Sequence, residues 1–139
     1  MIDPSRIRPF LANTIDKTNF PDFGERYQGK VRDVYTQGDK RLLIATDRQS
    51  AFDLMWTTIP LKGQVLNQLS VWWFDQMADV MPTHVLDVPD PNVTVVKSLT
   101  MVMVEIVVRA YLTGSTSTSA WVNYHKGVRD FCGNLLPDG

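Results

Sequence analysis

The sequence predicts an α+β fold, an antiparallel sheet with one long helix laid across it, and three observations carry that prediction. Residues 31–46 read as two strands joined by a tight turn, and residues 62–80 place apolar side chains at helical spacing. β-Branched segments then resume in VTVVK (93–97) and MVMVEIVVRAYL (101–112). With 139 residues, 44% of them hydrophobic, the chain has enough apolar material for one sizeable core.

Residues 1–25 come first, interrupted by Pro4, Pro9, Pro21 and Gly24, with one apolar patch at Phe10 and Leu11. Within them ANTIDKTNF (12–20) reads as a short helix or a docked arm. VRDVY then alternates, with Val31, Asp33 and Tyr35 on one face and Arg32 and Val34 on the other. QGD turns the chain and RLLIAT returns it, so Gly29 stands just before the first strand of a hairpin.

TDRQSAFD (46–53) admits two readings. Ser50 followed three residues later by Asp53 outlines a capping box for a short helix, limited by Pro60; that leaves Asp47 and Arg48 unassigned. Alternatively, a helix start with spare N–H groups, an arginine and a hydroxyl holds a carboxylate or phosphate. Next, KGQVLNQLSVWWFDQMADV sets Val65, Leu69, Trp72, Trp73, Gln76 and Val80 near one face, widened by Leu66 and Met77 and stopped by Pro82. The two tryptophans are expected to face the sheet as core.

VLDVPDP reads as a proline-rich turn, and the β-branched runs after it as strands. In the second run Glu105 and Arg109 are the only charges, four apart and on one face of a regular strand. They form either an ion pair with each other or contacts to a ligand. GSTSTS turns the chain into a short helix with Trp121, Tyr124 and His125 on one side, ended by Lys126 and Gly127.

Charge and cysteine content narrow the function. Fourteen Lys and Arg against 15 Asp and Glu give no bulk attraction to a nucleic-acid polymer. One cysteine, Cys132, forms no intramolecular disulfide, and no run approaches a membrane span or signal peptide, so a cytoplasmic setting without membrane contact is expected. His84 and His125 are isolated and suggest no metal site. GERYQGKVRDVY (24–35) has two glycines beside Lys30 and Arg32. It lacks the Ser or Thr after Lys30 that a strand-to-helix phosphate loop requires. A plain turn with a solvated lysine fits it, as does a glycine-containing loop between strands over a nucleotide. Arg109, Gly114 and Ser115 in VVRAYLTGS suit a small anionic ligand.

Taken together and in order, GKVRDVY, TDRQSAFD, IPLKGQVLNQLSVWWF, VEIVVRAYLTGS and CGNLLPDG resemble the N-terminal portion of phosphoribosylaminoimidazole-succinocarboxamide synthases, from about Gly29 to Gly139. The resemblance implies a kinase-like, β-rich ATP-binding lobe over 26–106, preceded by the arm at 1–25. Residues 107–139 would begin a larger α+β lobe that binds substrate. It implies an ATP-dependent ligase joining L-aspartate to an imidazole carboxylate ribonucleotide through an acyl phosphate. Gly29, Lys30 and Arg32 would hold the ATP phosphates, and Met101, Met103 and Glu105 would lie along the adenine. Asp47, Arg48, Ser50, Asp53, Arg109 and Ser115 would face the other substrates, with Lys30, Asp53 and Arg109 taking part in catalysis. ATP and Mg2+ are the implied cofactors, the magnesium ligands lying beyond residue 139, so the 139 residues alone are expected to be inactive. An ATP-binding module or a kinase-like phosphotransferase is the alternative, the latter weakened by the absence of HRD and DFG motifs. The oligomeric state is left open.

Overall fold

The computed structural model describes residues 3–52, 54–104, 106, 108 and 110–138. They belong to two compact units, residues 1–100 and 101–139.

The first unit is built on a five-stranded antiparallel sheet. Its strands are β1 (Glu25–Gln28), β2 (Arg32–Gln37), β3 (Lys40–Ala45), β6 (Val85–Asp90) and β7 (Val93–Lys97), in the order β1-β2-β3-β7-β6. The expected hairpin is β2 with β3, in register from Arg32 opposite Ala45 to Gln37 opposite Lys40. Gly38, at φ +62°, makes its two-residue turn, a conformation that suits glycine. Between β3 and β7 the chain inserts a second hairpin, β4 (Arg48–Ala51) with β5 (Leu54–Thr58), and the helix α1 (Lys62–Gln76).

The structure corrects several expectations. Ser50 caps no helix: it lies in β4 opposite Met55, next to a register shift, and Phe52 turns the hairpin at φ +51°. Strand-favouring Trp56, Thr57 and Thr58 follow, and a ladder to β4 satisfies backbone groups that a helix cut short at Pro60 would leave open. VLDVPD is also a strand: Pro89 is tolerated because β6 is the outer strand, and its register against β7 shifts twice.

Helix α1 forms where its spacing predicts, yet turns a different face to the sheet. Gly63 and Asn67 are its buried residues, whereas Trp72 and Trp73 are about half exposed, at 50% and 53%, in an edge-to-face pair. A Cβ on Gly63 would stand 2.3 Å from the Ala45 carbonyl oxygen, so only glycine lets the backbones approach this closely. Asn67 completes the fit by donating to the Pro91 carbonyl at 3.0 Å and accepting from the Thr94 hydroxyl at 2.8 Å. Apolar residues surround α1, so its pattern does not choose one stripe; contact distance and hydrogen bonding do.

Residues 12–20 form a docked arm without helix or strand. Ile15 exchanges backbone and side-chain hydrogen bonds with Asp47, and Phe20 donates its N–H to the Tyr35 hydroxyl and packs on that ring. Tyr35, Ile44 and Val96 are the buried hydrophobic centre of the sheet.

In the second unit, α2 (Ala120–His125) is capped by the Ser119 hydroxyl, and Trp121 lies against Tyr124 and His125 as its spacing predicts. Gly127, at φ +91°, ends the turn after it. The strands β8 (Asp130–Phe131) and β9 (Asn134–Leu135) make a short hairpin, and Arg129 lies over the Tyr124 ring. The expected strand at 101–112 does not form among its described residues, and Met101, Met103, Ile106 and Val108 are strongly exposed. Among these described residues no ladder takes up the backbone N–H and C=O groups, and β-branched composition alone does not make a strand.

Candidate functional site

The loop Gly29–Val31 joins β1 to β2, and the chain behind it engages all three loop carbonyls. Arg48 donates from Nε to the Lys30 carbonyl at 3.1 Å and from Nη2 to the Gly29 carbonyl at 3.0 Å. Thr46 donates to the Val31 carbonyl from its N–H at 3.1 Å and its hydroxyl at 2.9 Å. Gly29 closes the loop by donating to the Arg32 carbonyl at 2.8 Å. Carbonyl oxygens repel an approaching anion; here they are occupied from inside the protein, beside the cationic side chains of Lys30 and Arg32. Both of those residues are exposed, and Arg32 and Val31 also border a cavity of about 110 Å³ between α1 and the sheet.

Arg48 is only 1% exposed. Its charge is balanced by Asp33, whose Oδ1 accepts from Nη2 at 2.8 Å, while the guanidinium also donates to the Asp16 carbonyl of the arm. The other Asp33 oxygen accepts from the Thr18 N–H at 2.7 Å and hydroxyl at 2.9 Å. Burial alone would raise the Asp33 carboxyl, but the Thr18 N–H, the Arg48 guanidinium and the Thr18 hydroxyl hold it below the usual carboxylate range. Asp33 is thus an ionised group in a dry place, fixed by a buried ion pair and by the arm.

Asp47 is buried too, and it caps α1 from a distance. One carboxylate oxygen accepts from the Gly63 N–H at 2.8 Å and the other from the Ile15 N–H at 2.9 Å. A carboxylate at this position satisfies a donor that the helix itself leaves open and complements the helix dipole. Lys62 adds a hydrogen bond from Nζ to the Arg48 carbonyl at 2.8 Å. Beside this junction a cleft of about 410 Å³ opens between the arm and the start of α1, bordered by Asn13, Thr14, Asp47, Gln64 and Asn92.

Gly29, Lys30, Arg32, Asp47, Arg48 and Ser50, all singled out from the sequence, lie in the first unit. Loop contacts join Gly29 and Lys30 to Arg48, whereas Ser50 is half-buried on β4. Met101, Met103 and Ser115 lie exposed in the second unit. Asp53, Glu105 and Arg109 fall outside the described residues. No group of three or more His, Cys, Asp or Glu converges on a possible ion site among the described residues.

Asp33, Thr46 and Thr18 were not anticipated. A usable signal existed for Asp33: the alternation puts this carboxylate between Val31 and Tyr35, on a face otherwise suited to the core, and such a group requires a cationic partner. Nothing local in the sequence marks Thr18 or Thr46.

The family model for SAICAR synthetase matches residues 25–132. A phosphoribosylaminoimidazole-succinocarboxamide synthase from Legionella pneumophila (strain Lens) is 53% identical over 125 residues, 90% of this chain and 40% of the relative. A chloroplastic one from Vigna aconitifolia is 47% identical over 133 residues, 93% of this chain and 39% of the relative. The chain therefore spans about 40% of the length of these curated relatives. Among solved structures, a SAICAR synthase from Saccharomyces cerevisiae in complex with SAICAR aligns at a TM-score of 0.76 and 30% identity, covering 90% of this chain and 48% of that one. A type-2 SAICAR synthetase in complex with ADP aligns at 0.60 and 28% identity, covering 82% and 47%.

Proposed function

The chain belongs to the SAICAR synthetase family, and from that premise we propose that it serves an ATP-dependent ligase joining L-aspartate to 5-amino-1-(5-phosphoribosyl)imidazole-4-carboxylate. The observation that carries this reading is the Gly29–Val31 loop, whose carbonyls are engaged from behind while Lys30 and Arg32 stand exposed beside it. Such a loop suits a polyphosphate, and the solved relative in complex with ADP supports that use.

In this reading Gly29, Lys30 and Arg32 hold the ATP phosphates, and Met101, Met103 and Glu105 border the adenine. Asp47, Ser50, Asp53, Arg109 and Ser115 serve the ribonucleotide and aspartate. Arg48, only 1% exposed, is read in this proposal as a support of the loop and not as a contact to substrate. Residues 26–106 act as the ATP-binding lobe and 107–139 as the beginning of the substrate-binding lobe.

The chemistry has two steps. A carboxylate oxygen of the imidazole attacks the γ-phosphorus and ADP leaves, giving an acyl phosphate. The aspartate amine then attacks the acyl carbon, inorganic phosphate leaves, and the nitrogen loses a proton as the amide forms. Lys30 and Arg109 neutralise charge that builds on phosphate and carboxylate oxygens, and Asp53 positions the amine. Magnesium is taken to accompany the ATP phosphates; the described residues assemble no site of their own for it, and no step is assigned to it. No described helix is long and apolar enough to cross a membrane. Small-molecule substrates and a cytoplasmic setting complete the proposal.

The test is ADP release by the full-length polypeptide that carries this sequence, with MgATP and the imidazole carboxylate ribonucleotide, with and without aspartate. Sustained ADP release that depends on aspartate is expected. ATP binding or turnover indifferent to aspartate would overturn the ligase in favour of a binding module or phosphotransferase.

A further inference from the structure

We propose that Arg48 is a positioning residue for nucleotide binding: from inside the protein it fixes the Gly29–Val31 loop and couples that loop to the N-terminal arm. This rests on reading the loop as the phosphate site.

A connection of three residues has no ladder to hold it, and its carbonyls would otherwise be free to turn toward an incoming phosphate. Arg48 takes two of them, and Thr46, two residues before it, takes the third. The same guanidinium bonds the Asp16 carbonyl, and its counter-ion Asp33 receives the Thr18 N–H and hydroxyl. One planar group thereby joins the loop, the arm and β2. Lysine cannot replace it, because a single ammonium has three donors at one point, whereas these acceptors surround a rigid fork. A packing role alone would be better met by an apolar side chain, since a buried ion pair contributes little or nothing to stability relative to one. The geometry instead suits control of loop shape.

The experiment titrates MgATP by calorimetry into the full-length polypeptide, well below each variant's Tm, and follows amide hydrogen exchange at residues 15–18 and 29–31. Lys30→Ala tests the underlying reading; it should weaken MgATP binding and leave arm exchange unchanged. Arg48→Lys should weaken binding roughly ten- to a hundredfold by displacing the loop, and speed exchange in both segments together. Thr46→Val, which removes one hydroxyl, should do the same to a smaller degree at 29–31. If Lys30→Ala weakens binding while Arg48→Lys merely lowers Tm and binds as the parent does, the positioning role is overturned and the phosphate site stands. Parent-like binding by Lys30→Ala overturns both. Should Arg48→Lys fail to fold, Thr46→Val decides: unchanged affinity and exchange reject the proposal.

Discussion

Replacing Asp33 with asparagine keeps the side chain's shape and removes its charge from a site with 0% exposure. Arg48, with its side chain 2% exposed, then keeps a buried positive charge whose anionic partner at 2.8 Å is gone. Breaking such a pair from one side costs about 3–5 kcal/mol. Whichever way the amide turns, its NH₂ faces an N–H donor, that of Arg48 at the Oδ1 position or of Thr18 at the Oδ2 position, so one of these hydrogen bonds is lost as well. Urea unfolding at pH 7 should show the deficit, and its pH dependence should identify the source. The folded carboxyl titrates below the unfolded one, so on acidification the unfolded chain binds the proton first. The contribution is therefore complete above the unfolded value, near pH 4, and is lost as pH falls through the lower folded value. Asp3 is lowered as well, by the Ser5 hydroxyl and N–H, but both proteins retain it and its effect cancels in the comparison. The stability gap should accordingly be widest at neutral pH and shrink below about pH 4. A deficit under about 1 kcal/mol at pH 7, or parallel acid profiles for the two proteins, would refute the buried ion pair as the source of the effect.

Gly63→Ala should lower stability by about 2–3 kcal/mol, read as a reduced Tm, because its Cβ meets the Ala45 carbonyl and the Asn92 amide, and the helix must retreat. An unchanged Tm would mean that α1 does not rest on β3 through this residue. Trp72→Ala should cost less than about 1.5 kcal/mol in the same measurement, since half the ring already meets solvent, against about 3–5 kcal/mol for a fully buried tryptophan. A loss in the larger range would restore the tryptophan face as core.

Much of the first unit was legible wherever local chemistry and periodicity coincide. VRDVY, QGD and RLLIAT gave a hairpin because alternation and a glycine turn specify the same register. The extent of α1 was clear, but not its inner face: a sheet contact made by Gly63 and Asn67 leaves no apolar signature. Ser50 failed as a cap because the pattern S-x-x-D also occurs in a hairpin, and only pairing with β5 separates the two. The site shows the same division. Gly29 and Lys30 marked a loop from composition alone, yet the support for that loop comes from Thr46 and Arg48, and Arg48 in turn holds an arm 32 residues before it in sequence, all brought together by tertiary contact. Glycines and cations announce where a phosphate could rest; they do not reveal what holds the resting place still.

The outer strand β6 carries a consequence for how copies of the chain meet. Another chain extending the sheet past it would need a regular row of donors and acceptors. It finds instead a residue without an N–H at Pro89, carboxylates at Asp87 and Asp90, and two interruptions of register. Intermolecular strand addition is obstructed on that border, even though α1 carries two half-exposed tryptophans. Continuous β-pairing between copies, the arrangement that fibre growth requires, is therefore disfavoured at β6.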